Sequence, residues 1–184
     1  MKGRLRVLDV AVVAEPPWPE GDWDDLAAKA VRAGLERTPY GELAELEAMV
    51  EVSVRLTSDA EVQTLNRQYR QKDRPTNVLS FPMVQSDLLP SLANSDANDG
   101  AASGTGGEIL LGDIALAHET CVREAEERGV TLEAHAAHLI VHGTLHLLGH
   151  DHMNDAEAEA MEAIERDAMA SLGLHDPYAI EDDQ

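Results

Sequence analysis

The sequence has a single cysteine, one phenylalanine and only 3% aromatic residues among its 184 residues. With Cys121 alone, no disulfide can form within the chain, so we expect a reducing, cytoplasmic location. Long hydrophobic runs are also missing, since stretches 10–14 and 136–141 are far shorter than the roughly 18 to 20 residues that span a bilayer. We therefore expect neither a membrane-spanning helix nor a secretory signal.

Basic residues are scarce: 14 Lys and Arg stand against 35 Asp and Glu, which gives a net charge of −21. On average such a chain repels polyanions, including nucleic acid. Residues 55–84 are the exception, because five basic residues there outnumber three acidic ones for a net of +2. Taken alone, this basic segment is better explained as a solvated helix end than as a binding site. Its cations are Arg55, Arg67, Arg70, Lys72 and Arg74.

Apolar residues alternate with polar ones over residues 50–56, which is typical of a strand with one buried face. The pattern of the whole chain predicts strands over 4–14, 50–56, 77–82 and 108–117. It predicts helices over 23–37, 59–69, 118–128, 131–148 and 155–172. We therefore expect an α+β fold in a single domain of residues 1–184, with a mixed sheet of about four strands packed with about five helices.

Two segments contain little that a core could bury. Ser, Asn, Asp and Gly dominate residues 85–107, which predicts a flexible loop inside the domain, at a sheet edge or near a site. From about residue 173 onward we expect a frayed tail.

Four of the eight histidines fall within residues 141–152. His142 and His146 are four residues apart, so a helix places their imidazoles on one face. The next helical turn cannot present a third ligand at a tetrahedral angle, so the chain must leave the helix and return. Gly149 provides that break, because glycine adopts a left-handed conformation without a Cβ penalty. Either His150 or His152 would then lie over the pair.

Three neutral imidazoles suit Zn²⁺, and three protein ligands leave a fourth position open, which is typical of catalytic zinc. We therefore predict one zinc ion per chain. The spacing of His142, His146 and His152 is that of the metzincin proteases, but Gly143 stands where those enzymes have a glutamate. The general base of a protease is therefore missing.

Other polar residues near this motif allow two interpretations each. His138 lies one turn before His142 and could support a ligand or be an extra one, but a packed histidine is equally consistent, as it is for His135. Asp113 and Asp151 are candidates for proton transfer or ligand orientation. Equally, Asp113 could simply lie at the end of a strand, and Asp151 could cap a turn.

Four segments together resemble the YbeY endoribonuclease family. In chain order they read LNRQYR over 65–70, DRPTNVLSFP over 73–82, LGDI over 111–114 and HGTLHLLGHDH over 142–152. This is the order that the family has. The resemblance implies a metal-dependent, single-strand-specific endoribonuclease. It further implies a role in ribosomal RNA maturation, especially at the 3′ end of 16S rRNA, and in ribosome quality control.

The same resemblance implies roles for individual residues. His142, His146 and His152 correspond to the zinc ligands, and Arg70 corresponds to the functional arginine. Position 150 is a histidine where the family commonly has tyrosine, so His150 is a possible additional ligand.

With this resemblance, RNA binding becomes the preferred explanation of the basic segment. Arg67, Lys72 and Arg74 would follow the RNA backbone, and Tyr69 would stack a base, which single-stranded RNA permits. The expected partners are single-stranded rRNA and the small ribosomal subunit, whose basic proteins the acidic surface could dock. Two alternatives are a zinc hydrolase of a small molecule or peptide, and a ribosome-associated binding factor whose zinc is structural.

Overall fold

The computed structural model describes residues 8–38, 49–72, 76–83, 108–150 and 154–178. Its strands are β1 (Leu8–Ala14), β2 (Met49–Thr57), β3 (Val78–Pro82) and β4 (Glu108–Ala117). They form one sheet in the order β1-β2-β4-β3. The β1–β2 and β2–β4 pairs are parallel, and β3 runs antiparallel to β4 as an edge strand.

Five helices accompany this sheet in the described residues. They are α1 (Trp23–Glu36), α2 (Asp59–Arg70), α3 (His118–Arg128), α4 (Leu132–Leu147) and α5 (Asp155–Ser171). The predicted α+β fold with a mixed four-stranded sheet and five helices is thereby confirmed. None of the described helices is long and apolar enough to cross a membrane.

The two faces of the sheet have different coverings. Alternate residues of β2, such as Val52 and Val54, are fully buried against α1 and α4, as the period-two pattern predicts. Each such side chain contributes about 1.5–3 kcal/mol when it leaves water. Helix α2 packs on the opposite face through a smaller cluster that includes Val62 and Leu79.

The end of α4 confirms the break predicted at Gly149. This residue has φ +91°, its amide donates to His146 O, and the amide of His150 donates to Leu145 O, both at 3.0 Å. The pair of bonds forms a Schellman motif, which requires a left-handed residue at this position. The motif turns the chain at His150 back beside the last helical turn.

Gly112 of β4 lies where that strand is crowded by β3 and α4. It has φ +151°, and an added Cβ would overlap Phe81 O and lie 2.7 Å from Leu147 Cδ2. We expect Gly112→Ala to lower the free energy of unfolding by about 2–6 kcal/mol, because backbone strain and overpacking each cost about 1–3 kcal/mol. Urea denaturation would measure this loss.

Gly129→Ala is the matched control for Gly112→Ala. Gly129 has φ +70°, but a Cβ there meets no atom of the described residues within 4 Å. Only the left-handed conformation then carries a penalty, about 1–2 kcal/mol. Equal losses in the two variants would show that the packing around Gly112 is not tight.

Residues 173–178, the described part of the segment where we expected a frayed tail, contact three helices. The Tyr178 hydroxyl donates to Glu165 Oε1, and Arg128 Nη1 donates to Pro177 O at 3.2 Å. The Tyr178 ring also contacts the ring of His138, with 5.6 Å between centroids. A buried acceptor and an aromatic neighbour therefore hold this segment against α3, α4 and α5.

Candidate functional site

A cleft of about 660 Å³ lies between the C-terminal half of α4 and the edge strand β3. Its α4 side carries His142, His146 and His150. Its other side carries β3 together with Arg70 and Lys72, which come from the end of α2. The fold thus brings two basic residues of the 55–84 segment and three histidines of the 141–152 motif to one opening.

The imidazoles of His142 and His146 lie next to each other on the α4 side of this cleft, with their Nε2 atoms facing. Their Nε2 atoms are 3.1 Å apart. Two nitrogens that share a tetrahedral zinc ion at about 2.0–2.1 Å are separated by about 3.3 Å, so the pair fits one zinc ion. Within the described part of the chain, no third His, Cys, Asp or Glu completes a group able to hold a metal. His152, the predicted third ligand, lies outside the described residues, as do Asp151, Arg74 and the segment 85–107.

Glu165 of α5 orients one histidine of the pair. Its carboxylate is fully buried and accepts from His142 Nδ1 at 2.6 Å and from His138 Nε2 at 2.8 Å. Burial raises the pKa of Glu165, but the hydrogen bonds from His138 and His142 and their charge outweigh it and lower the pKa to about 2. An ionised carboxylate only accepts, so Nδ1 of His142 carries a proton. In the tautomer that could bind a metal, Nε2 of His142 therefore has a free lone pair directed toward His146.

Glu165 is not among the site residues predicted from the sequence, although the sequence contains a signal for it. Met161, Glu165, Ala168 and Met169 form the buried stripe of α5. A carboxylate within an apolar stripe needs a buried partner, because an unpaired buried charge is very costly. Only the packing of α5 on α4 shows that this partner is a pair of histidines.

The remaining histidines near the pair have separate environments. His135 is buried, and its Nε2 lies 2.8 Å from Glu124 Oε1, which also accepts from Asn77. His150 lines the cleft, and its buried Nε2 has no hydrogen-bond partner among the described residues. Burial lowers the pKa of His150 and so favours the neutral imidazole that a metal would require.

Arg70 reaches the cleft across the edge strand. Its Nη2 donates to Ser80 O, and its guanidinium lies over the Phe81 ring, 5.4 Å from the centroid. A guanidinium has five N–H donors in a planar fork, so one carbonyl contact leaves several for a phosphate. Lys72 adds a second, exposed cation at the same opening.

Three other predicted residues lie elsewhere. Tyr69 and Asp113 line a separate groove on the α2 side of the sheet, so Asp113 is not placed for proton transfer in the histidine cleft. Arg67 is exposed on α2 and does not line the cleft.

Gly143 is packed directly on the sheet. A Cβ at this position would lie 3.0–3.3 Å from three carbons of the Ile114 side chain. A larger residue here, such as the glutamate that metzincin proteases carry after their first histidine, would therefore require Ile114 to shift. The close approach of the helix to β4 favours glycine at this position.

The sheet and its cleft define an α+β protein with a carboxylate-oriented histidine pair facing an arginine. A family model described as endoribonuclease YbeY matches residues 21–173. The chain belongs to this family.

Individual relatives carry the same name. The endoribonuclease YbeY of Rhizorhabdus wittichii is 59% identical over 178 residues, which covers 96% of this chain and 100% of the relative. That of Sphingopyxis alaskensis is 59% identical over 177 residues, with 96% and 100% covered. That of Zymomonas mobilis is 44% identical over 163 residues and covers 88% of each chain.

Proposed function

We propose that this protein is a zinc-dependent, single-strand-specific endoribonuclease. Family membership supports the endoribonuclease activity. The observation that carries the zinc site is the 3.1 Å separation of the facing Nε2 atoms of His142 and His146, beside an arginine. In this proposal His142, His146 and His152 hold one zinc ion per chain.

The chain's own residues bind and orient the substrate. Arg70 offers its planar fork to a phosphodiester, and Lys72 attracts the backbone as a point charge. Glu165 acts through His142 as a positioning residue, since it fixes both the tautomer and the ring. When bound, zinc supplies Lewis-acid chemistry that draws electron density from a phosphoryl oxygen.

The shape of the cleft supports single-stranded RNA as the substrate. An opening of about 660 Å³ beside one edge strand admits a bent backbone and a few unpaired groups. A base-paired helix keeps its phosphates on a stiff surface and its bases stacked inside. An unpaired strand can therefore bend so that a phosphate lies beside Arg70 while its bases contact the walls of the cleft, which stacked and paired bases cannot do.

We place this activity in ribosomal RNA maturation, at the 3′ end of 16S rRNA, and in ribosome quality control. This placement rests on the motifs that the chain shares with its family. The net charge of −21 supports docking to basic proteins of the small ribosomal subunit, because opposite charges steer association. We propose that the protein acts in the cytoplasm.

The direct test is cleavage of a single-stranded rRNA fragment and of the same fragment annealed to its complement. We expect the purified zinc-loaded protein to cleave the single strand, a chelator to stop it, and added zinc to restore it. Cleavage that persists in chelator would contradict zinc dependence, and equal cleavage of the duplex would contradict strand specificity. Bound zinc without any cleavage would favour the binding-factor alternative.

Glu165→Gln tests the positioning role of the buried carboxylate. We expect the zinc affinity of the folded protein to fall about 10- to 100-fold, as when other partners of metal-bound histidines are removed. Competition with a chromophoric chelator measures the affinity, and thermal unfolding of the zinc-free protein separates this effect from stability. Tyr178→Phe removes another donor to Glu165 but leaves both histidine contacts, so its affinity should stay near that of the wild type.

A further inference from the structure

A second groove, of about 620 Å³, lies on the α2 side of the sheet. Its walls are apolar and exposed in part: Tyr69 and Met83 are 66% and 56% exposed, and Phe81 lies between α2 and β4. Tyr69 meets Phe81 edge to face, with 5.6 Å between centroids. Aromatic and thioether side chains at one opening are well suited to hold a flat ring.

Two polar side chains lie among the apolar residues of the sheet that form the floor of the groove. Ser53 and Asp113 are direct neighbours across β2 and β4, and Phe81 is the neighbour of Asp113 on β3. The carboxylate of Asp113 repels a phosphate but accepts hydrogen bonds from the N–H groups on a base edge. Arg55 also lines the groove, but its guanidinium is paired with Glu15 at 3.3 Å and with Glu61 at 3.4 Å. The groove therefore suits a nucleobase better than the backbone of a nucleic acid.

The groove and the histidine cleft meet at the edge strand β3. Consecutive residues of α2 serve the two openings, since Tyr69 lines the groove and Arg70 lines the cleft. The Arg70 guanidinium lies over the face of Phe81, whose ring forms part of the groove. A strand of RNA that crosses β3 at this point can place a phosphate at Arg70 and an adjoining base beside Tyr69.

We propose that this groove binds a nucleobase of single-stranded RNA, next to the phosphate held at Arg70. The assignment rests on the proposed function for its substrate. Binding of RNA can be measured apart from cleavage, so the two proposals fail separately.

Ala11→Trp fills the groove without touching the core, because Ala11 is exposed and lines the groove from β1. Ala14→Trp introduces the same side chain at another exposed position of β1 that does not line the groove. Tyr69→Ala removes the stacking ring, and Tyr69→Phe keeps it. The two pairs of variants separate filling and stacking from general effects on the fold.

The probe is a fluorescein-labelled 2′-O-methyl RNA oligomer of mixed sequence, in which one abasic site is moved along the strand. Fluorescence anisotropy measures its Kd with the zinc-loaded protein. We expect the abasic site to weaken binding about 5- to 150-fold at one or two positions, the range for loss of one stacked base. Ala11→Trp and Tyr69→Ala should bind the intact oligomer more weakly by a similar factor and lose this dependence on position. Tyr69→Phe and Ala14→Trp should behave like the wild type.

An identical abasic scan in the wild type and in Ala11→Trp would overturn the proposal, as would wild-type affinity in Tyr69→Ala. Either result would leave the groove to another occupant, such as a protein partner. Failure of the wild type to bind any oligomer would also overturn it. The expected pattern without RNA cleavage would support the groove assignment and contradict the proposed function.

Discussion

His146→Ala should lose bound zinc and cleave single-stranded RNA more than about a hundredfold more slowly than the wild type. The substitution removes one of two nitrogens that face each other at 3.1 Å, so one imidazole alone remains of the pair. Loss of a mere neighbour of a metal ligand already costs about 10- to 100-fold, and loss of the ligand itself should cost more. Metal content and cleavage rate are to be measured on the same preparation.

The same variant distinguishes catalytic from structural zinc. The core next to α4 consists of apolar side chains such as Ile140 and Val141, and the Schellman motif at Gly149 ends the helix through backbone bonds. We therefore expect His146→Ala to keep a cooperative thermal unfolding transition. Unfolding of this variant at room temperature would favour structural zinc.

His118→Ala is the control for His146→Ala. His118 packs edge to face on Trp18, with 5.2 Å between ring centroids, and does not line the cleft. Its zinc content and cleavage rate should equal those of the wild type. A similar loss of zinc in His118→Ala would mean that the metal is not held by the facing pair.

Much of the fold could be predicted because its signals are local. The apolar residues that alternate along β2 are buried on one face, and the helix predicted over 59–69 begins at Ser58, whose Oγ accepts from the Glu61 amide at 3.2 Å. The break at Gly149 likewise follows from the backbone conformation that glycine permits. In each case neighbouring residues contain the information, and no distant contact has to be known.

The parts that could not be predicted depend on how distant elements pack. Asp113 lies in a motif beside Gly112, but the sheet register turns its side chain toward α2 and away from the histidines. In the sequence, Gly143 stands out only as the absence of a protease glutamate, and the contact with Ile114 that favours glycine there is visible only in the structure. Glu165 and Tyr178 meet the histidines only through the packing of α5 and the segment that follows it.

Arg70→Ala should lower kcat for RNA cleavage about 100- to 1000-fold while the zinc content stays the same. Removal of one well-placed donor to a developing negative charge typically has this effect, and Arg70 contacts no residue of the histidine pair in the described structure. The contact strengthens as charge develops on the phosphate, so kcat should fall by a larger factor than KM rises. Single-turnover cleavage and metal analysis measure the two quantities.

Two further variants separate the chemistry of Arg70 from its charge and its packing. Arg70→Lys keeps a cation but not the planar fork, so it should recover only part of the lost rate. Arg32→Ala removes a cation of α1 that does not line the cleft and pairs with Glu36 at 3.3 Å, and it should cleave RNA like the wild type. Because Arg70 also holds Ser80 O and covers Phe81, thermal unfolding of Arg70→Ala shows whether β3 has loosened. An unchanged kcat in Arg70→Ala would refute phosphate stabilisation by this residue, whereas a full rescue by lysine would reduce its role to charge alone.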